Sequence, residues 1–200
     1  DQAFSNFDGW VFRNFSKLIG FFNQFGSYSD NIRDVEWFNR SADNLDRNLV
    51  QNSGREEWLG QAEFLQKTMT DEVIEAAFGQ LPEELQGEGT DEIMEKMKGR
   101  RGNLTDIVAR YYDELAETAV ITGTDKDDII DITRLENGDT EVKITRNKDG
   151  ERGEVVNHRI YREGETEEVW VYGLDDDDEF HVGGAHKSGI IVKIIGGQNN

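Results

Sequence analysis

The run Gly-Thr-Asp-Lys-Asp-Asp-Ile-Ile-Asp at Gly123–Asp131 returns, in the same frame, as Gly-Leu-Asp-Asp-Asp-Asp-Glu-Phe-His at Gly173–His181. Each copy follows a short apolar strand and opens on a glycine, which lets the backbone reverse. An aspartate stands five residues after that glycine (Asp128, Asp178), and a large apolar residue two positions further on (Ile130, Phe180). Ile194-Ile195-Gly196-Gly197 starts a third copy. The intervals are restrictive. From Gly173 to Gly196 is 23 residues, one coil of a β-solenoid, and from Gly123 to Gly173 is 50, which leaves room for an inserted hairpin. Stacked strand–turn units therefore compete with a compact antiparallel sandwich as the architecture here.

The surrounding pattern is strand and turn. Ala119–Thr122 leads into the first acidic turn and Ile129–Leu135 leaves it. Asn137-Gly138 carries the signature of a two-residue hairpin, so Asp139–Arg146 is expected to pair antiparallel with the strand before it. Lys148-Asp149-Gly150 and Glu163-Gly164 mark turns ahead of Glu154–Arg162 and Glu167–Tyr172, and Phe180–Val182 and Ile190–Ile195 complete the strands. Val142/Ile144 and Val169/Val171 show the two-residue alternation of half-buried strands.

The first part reads as helix. Trp10, Val11, Phe15, Leu18 and Phe22 follow helical spacing within a segment rich in phenylalanine. Ser53 and Glu56 offer a capping box, and Thr70 with Asp71 and Glu72 starts another helix. Pro82 suits a first turn, and Thr90 with Asp91 and Glu92 opens the last helical stretch. Gly99 and Gly102 weaken that stretch, each by roughly 1 kcal/mol relative to alanine, so a kink or break is expected there. Leu104, Ile107, Val108, Tyr111, Tyr112, Leu115 and Ala116 then hold one apolar face. The fold class is α+β: a helical region over residues 1–118, then a mostly antiparallel β region over 119–200, either a sandwich or a short solenoid-like stack.

Acidic residues outnumber basic ones 42 to 22, a net charge of −20, which argues against binding a nucleic-acid backbone or an anionic membrane surface. The basic cluster Lys96, Lys98, Arg100 and Arg101 is expected to meet the chain's own acids. Without cysteine there is no disulfide frame, thiolate nucleophile or cysteine-ligated zinc. No apolar run approaches membrane-spanning length, so this segment is not expected to insert in a membrane. The chain starts at Asp1 with no apolar leader, as expected of a piece of a longer protein whose flanking domains are its first partners.

Crowded carboxylates on a glycine turn suit a hard cation, because calcium takes six to eight oxygen ligands from carboxylates and turn carbonyls. The candidate ligands are Asp125, Asp127, Asp128 and Asp131 in the first copy and Asp175, Asp176, Asp177 and Asp178 in the second. The bland alternative is a pair of solvated corners at strand ends. His158, His181 and His186 lack the spacing of a metalloprotease helix, and no nucleophile elbow, P-loop or dinucleotide fingerprint is present.

The acidic turns resemble the repeats-in-toxin calcium turn, Gly-Gly-x-Gly-x-Asp-x-apolar-x. On that frame Asp128 and Asp178 match the aspartate and Ile130 and Phe180 the buried apolar position, whereas Lys126 and Asp176 stand where the family has its inner glycine. The nine-residue period of that family is absent. At larger scale, Arg100-Arg101, Tyr111-Tyr112, Gly123-Thr124-Asp125-Lys126, Tyr172-Gly173-Leu174 and Ile195-Gly196-Gly197 resemble a region of large surface proteins from Bacteroidetes-type bacteria. There a calcineurin-like metallophosphoesterase domain precedes the region and a surface-antigen-type outer-membrane barrel follows it.

That resemblance implies a non-catalytic structural or interaction module in the bacterial cell envelope, periplasmic or at the cell surface, with calcium stabilisation as an added expectation. It carries over no phosphoesterase activity, because the Asp-x-His and Gly-Asn-His metal motifs are missing from this chain. The alternative is a fragment of a kinase-like or metallophosphoesterase-associated enzyme, to which Asp1 or Asp8 would contribute and whose active site lies mainly outside the chain.

Overall fold

The computed structural model describes residues 28–49, 52–184 and 187–197. The phenylalanine-rich segment, Asp1, Asp8 and His186 lie outside the described residues. The helices, in chain order, are α1 (Val35–Asn39), α2 (Asp43–Leu49), α3 (Arg55–Thr68), α4 (Asp71–Phe78), α5 (Glu88–Gly102) and α6 (Leu104–Glu117), with a 3₁₀ turn at Glu83–Leu85. The strands are β1 (Thr118–Thr122), β2 (Asp128–Arg134), β3 (Thr140–Lys148), β4 (Glu151–Tyr161), β5 (Glu168–Tyr172), β6 (Glu179–Gly183) and β7 (Ile191–Ile195). The order is α+β, with helix giving way to strand between Glu117 and Thr118. Two compact units result: residues 1–42 with 54–112, and residues 43–53 with 113–200. The packing thus departs from a simple division at residue 118, because the α2 segment joins the β unit.

In the helical unit, local chemistry moves several expected boundaries. Gly54, not Ser53, caps α3, and its amide donates to Glu57 Oε2 at 3.0 Å. Thr70 caps α4 as expected, accepting the Val73 amide. Helix α5 starts before Thr90, whose hydroxyl donates to the Leu85 carbonyl. The break falls at Asn103, one residue beyond Gly102, while Gly99 stays inside α5. Gly99 is needed for close packing: a Cβ there would lie 2.5 Å from Asp30 Cβ. Trp58 meets the rings of Tyr111 and Tyr112 edge-on at 6.0 and 6.2 Å, around buried Ala62 and Ile107. The basic cluster serves internal partners. Lys98 pairs with Glu75 and Glu95, Arg101 with Asp71, and Lys96 with Glu92, while Arg100 lies 4.0 Å over the Tyr28 ring.

In the β unit the two glycine-turn copies lie on top of one another. Strand β1 pairs with β5 in parallel, Thr118 opposite Glu168 through Thr122 opposite Tyr172, and β5 pairs with β7 in parallel, Glu168 opposite Ile191. On the other side of the turns, β2 pairs with β6, Ile129 opposite Glu179. The register offsets are the intervals of the sequence repeat. The unit is a short stack of coils with one sheet ordered β1-β5-β7 and a second ordered β4-β3-β2-β6. The expectation of mostly antiparallel pairing is corrected. Three of the five ladders are parallel, and antiparallel pairing is confined to β2 with β3 and β3 with β4. The acidic turns carry the chain from one sheet to the other, so successive strands cannot be neighbours there.

The hairpin β2–β3–β4 is the insertion that lengthens the first coil. Its first turn is one residue longer than expected. Leu135 and Asp139 close a loop over Glu136-Asn137-Gly138, with Gly138 at φ 92°, a three-residue hairpin. The two-residue turn is Asp149-Gly150, both residues left-handed at φ 56° and 88°. Between the sheets lie Ala119, Ile121, Ile130, Ile132, Val142, Ile144, Val169 and Val171, all buried, with Phe180 and Val192 packed against them. Arg47 of α2 closes the start of β1 by donating to the Glu114, Leu115 and Thr118 carbonyls.

The strand-end glycines set how closely coils approach. A Cβ on Gly123 would stand 2.7 Å from the Gly173 carbonyl and 3.0 Å from Asp128 Oδ2. Neither neighbour can give way easily, so Gly123→Ala should destabilise the chain by about 1–3 kcal/mol, read as a lower urea midpoint by circular dichroism. Gly164→Ala, with open space around it, is the control. Equal midpoints for the two variants would show that the turn backbone is not closely packed.

Candidate functional site

The candidate site is the pair of stacked acidic corners between the parallel strands. Asp128 is fully buried at the start of β2. Its Oδ2 accepts the Thr124 amide at 2.7 Å and the Thr124 hydroxyl at 3.0 Å, closing the turn on itself. Its Oδ1 accepts Arg146 Nη1 at 2.8 Å. Arg146 stands directly opposite Asp128 in the β2–β3 ladder and also donates to the Lys126 carbonyl at 3.2 Å. A buried carboxylate is tolerated here because its oxygens meet three donor groups and a countercharge.

The second copy locks onto the first through its own aspartates. Asp178 Oδ1 accepts the amide of Asp128 at 3.0 Å, and Asp127 Oδ1 accepts the amide of Asp177 at 3.1 Å. Each coil thus lends one carboxylate to the backbone of the other. Side chains of like charge are brought close by the stacking, and these cross-coil bonds offset part of the repulsion. In the second corner, Leu174 and Asp176 both adopt left-handed backbone, at φ 89° and 65°. Asp176 holds the place of the inner glycine in the calcium-turn frame, and aspartate is one of the few side chains that visits this region readily.

The remaining candidate ligands do not join these two. Asp131 lies an odd number of residues along β2 from Asp128 and faces the other side of the sheet, since strand side chains alternate. There it accepts Arg152 through Nη2 at 2.6 Å and Nε at 3.2 Å, with His181 Nδ1 at 3.3 Å. The Arg152 hydrogen bonds hold its carboxyl below the ordinary value, with Arg152 and His181 charge adding to the effect against burial. His181 Nε2 faces Glu179 at 3.5 Å, so the ring bridges two acids through different nitrogens. Asp125, Asp127, Asp175, Asp176 and Asp177 are exposed. Among the described residues, no three histidine, aspartate or glutamate side chains converge in a group that could hold a metal ion. His158 pairs with Glu141 at 2.7 Å on the hairpin.

Sequence reasoning identified the aspartates but not their partners. Arg146 becomes legible only once the three-residue loop sets the β2–β3 register. Thr124 carries a local signal, since threonine at the start of an aspartate turn readily donates to the following carboxylate. Elsewhere, a cavity of about 410 Å³ in the helical unit is lined by Tyr28, Glu84, Glu88, Glu92 and Lys96, among others. It holds no paired nucleophile and base. Comparison with family models, curated proteins and solved structures finds no match to this chain.

Removing the Asp128 carboxylate should leave Arg146 and the Thr124 amide without their partner. Asp128→Ala is expected to cost about 3–5 kcal/mol, the usual penalty for breaking a buried pair, in urea unfolding. Asp128→Asn should cost less, because it keeps an acceptor, and the exposed Asp125→Ala should stay within about 0.5 kcal/mol. Equal small effects at all three would mean that the corner is not built around Asp128.

For Asp131, the lowered folded-state pKa gives the sign of a pH effect. Its contribution to stability is complete above the ordinary aspartate value near ~3.9 and is lost as pH falls through the lowered value. Arg152→Ala should return the Asp131 titration, followed by carboxyl-carbon NMR, upward toward that ordinary value. A titration unmoved by the substitution would remove Arg152 as the cause.

Proposed function

We propose that this chain is a non-catalytic structural and interaction module of a bacterial cell-envelope protein, with the stacked β unit as its working part. The observation that carries this reading is the use made of the acidic turns. Asp127, Asp128 and Asp178 accept hydrogen bonds that close a turn or join two coils, and Asp131 is held by Arg152. Their chemistry goes into geometry. The likeness of the Tyr111-Tyr112, Gly123–Lys126 and Tyr172–Leu174 segments to envelope-protein regions supplies the setting. The acidic surface suits a module that stays soluble among charged neighbours. No helix among the described residues is long and apolar enough to cross a membrane.

Calcium enters this proposal only as an addition at the exposed carboxylates of the two corners, such as Asp125, Asp176 and Asp177, since Asp127, Asp128, Asp131 and Asp178 already accept protein donors. A bound ion stabilises in proportion to the logarithm of its excess over the dissociation constant. With few free ligands in each corner, excess calcium and excess chelator should give melting temperatures within about 2 °C of one another; 1 kcal/mol would move a chain of this size by roughly 2–4 °C. A larger rise that Asp176→Asn removes would make calcium part of the fold.

The functional reading is tested in the source cell and in the tube. The protein should fractionate with the envelope and show no turnover on phosphate-ester and protein-kinase substrates. Recovery in the cytoplasmic fraction would overturn the setting. Turnover abolished by Asp1→Asn with Asp8→Asn would replace the reading with the enzyme alternative.

A further inference from the structure

Asn137-Gly138 is the single Asn-Gly pair in the chain, and it lies within the three-residue loop between β2 and β3. The pair has a chemistry of its own. Glycine carries no Cβ, so its amide nitrogen is the least hindered nucleophile that can follow an asparagine. That nitrogen attacks the asparagine Cγ as it loses its proton. The new N–C bond closes a five-membered succinimide, the Cγ–Nδ2 bond breaks, and the side-chain amide leaves as ammonia, carrying the proton away. Water then adds to either ring carbonyl and gives aspartate or isoaspartate. Water is the only reactant consumed.

The structure holds each reacting group away from that course. Gly138 is buried and its amide donates to the Leu135 carbonyl at 3.1 Å, which keeps the proton on the attacking nitrogen. The Asn137 side chain is fastened at both ends to Asp139. Its Nδ2 donates to Asp139 Oδ2 at 2.8 Å, and its Oδ1 accepts the Asp139 amide at 3.2 Å. Asp139 is fixed in turn, because its Oδ1 accepts the Glu163 amide at 3.1 Å. Glu163 Oε1 accepts the Gly189 amide, and the same carboxylate packs so closely on Gly138 that a Cβ there would overlap Oε2. Asn137 itself is exposed, so water for the second step is at hand.

We propose that Asn137 is a site of spontaneous deamidation that the closed loop guards, so that conversion takes place only in molecules whose β2–β3 loop has opened. Opening must release the Gly138 amide from Leu135 and the Asn137 side chain from Asp139 together. The change is then one-way. A carboxylate at position 137 faces Asp139 Oδ2 where an N–H had donated, with Glu136 next in the chain and Glu163 packed on Gly138, and like charges at this range repel. In isoaspartate the main chain runs through the side-chain carbon. The added methylene no longer fits a loop closed by the Leu135 amide on the Asp139 carbonyl. Deamidation thus marks chains that have opened at this hairpin and hinders them from closing again. It is independent of the reading of the chain as an envelope module.

The test follows the whole chain in mildly alkaline buffer, with peptide mapping by mass spectrometry to separate asparagine, aspartate and isoaspartate at position 137. Conversion in the folded chain should be at least about tenfold slower than in the guanidinium-unfolded chain, since a closed loop protects its amides by its opening free energy. In guanidinium below the unfolding transition, conversion at Asn137 and hydrogen exchange of the Gly138 amide should rise in proportion. Asp139→Ala, checked for folding by circular dichroism, should raise both several-fold, and Asn137→Asp should lower the urea midpoint. Folded conversion as fast as unfolded, or conversion that does not track Gly138 exchange in the unaltered protein, would overturn the guarding role of the loop. No conversion in the unfolded chain would remove the site itself. An unchanged midpoint in Asn137→Asp would remove the hindrance to closing.

Discussion

The β unit depends on one backbone contact, the approach of the Gly123 turn to the Gly173 turn. The Gly123 amide donates to the Tyr172 carbonyl at 2.8 Å, and the Gly173 amide to that of Ile195 at 3.0 Å, so the parallel ladders run unbroken into the turns. With the ends of β1, β5 and β7 held in register, every later residue of a coil falls beneath its equivalent. The apolar columns and the stacked aspartates both follow from that alignment.

Stacking equivalent residues brings a cost wherever they are charged, and the acidic corners show how it is offset. Asp128 is neutralised by Arg146 from the inserted hairpin, while Asp127 and Asp178 each serve the backbone of the opposite coil. The hairpin is therefore more than an interruption of the repeat. It supplies the countercharge that lets one aspartate be buried, and β3 covers the edge of β2 that would otherwise be open. The helical unit treats charge more loosely. Its ion pairs at Lys98, Lys96 and Arg101 join partly covered cations to solvent-exposed acids, and orient side chains more than they stabilise the fold.

Much of the β architecture was legible. The glycine spacing contained the parallel register, because an internal repeat whose units stack must pair at its own interval. The direction of most pairing was less so, since alternating apolar residues at Val169 and Val171 are equally compatible with either orientation. The turn at Lys148-Asp149-Gly150 falls where the residues place it, whereas the loop at Asn137-Gly138 takes in Glu136 and is one residue longer than its dipeptide suggests. Cap positions shifted by a residue or two for a similar reason. Ser53 and Gly54 can each begin a helix, and tertiary packing chooses between them.

By itself the sequence determined the recurrence of the corner, the residues at its core positions and the exclusion of cysteine thiolate chemistry. These rest on composition and spacing, which do not depend on where distant segments meet. Only the tertiary structure decided what the aspartates do. Asp128 and Asp131 differ by a few positions in sequence, but strand alternation sends them to opposite faces. Arg146, brought across by the hairpin, buries one, and Arg152 with His181 holds the other near solvent. A carboxylate's role is set by the donors that reach it, and those donors come from segments the local sequence does not name.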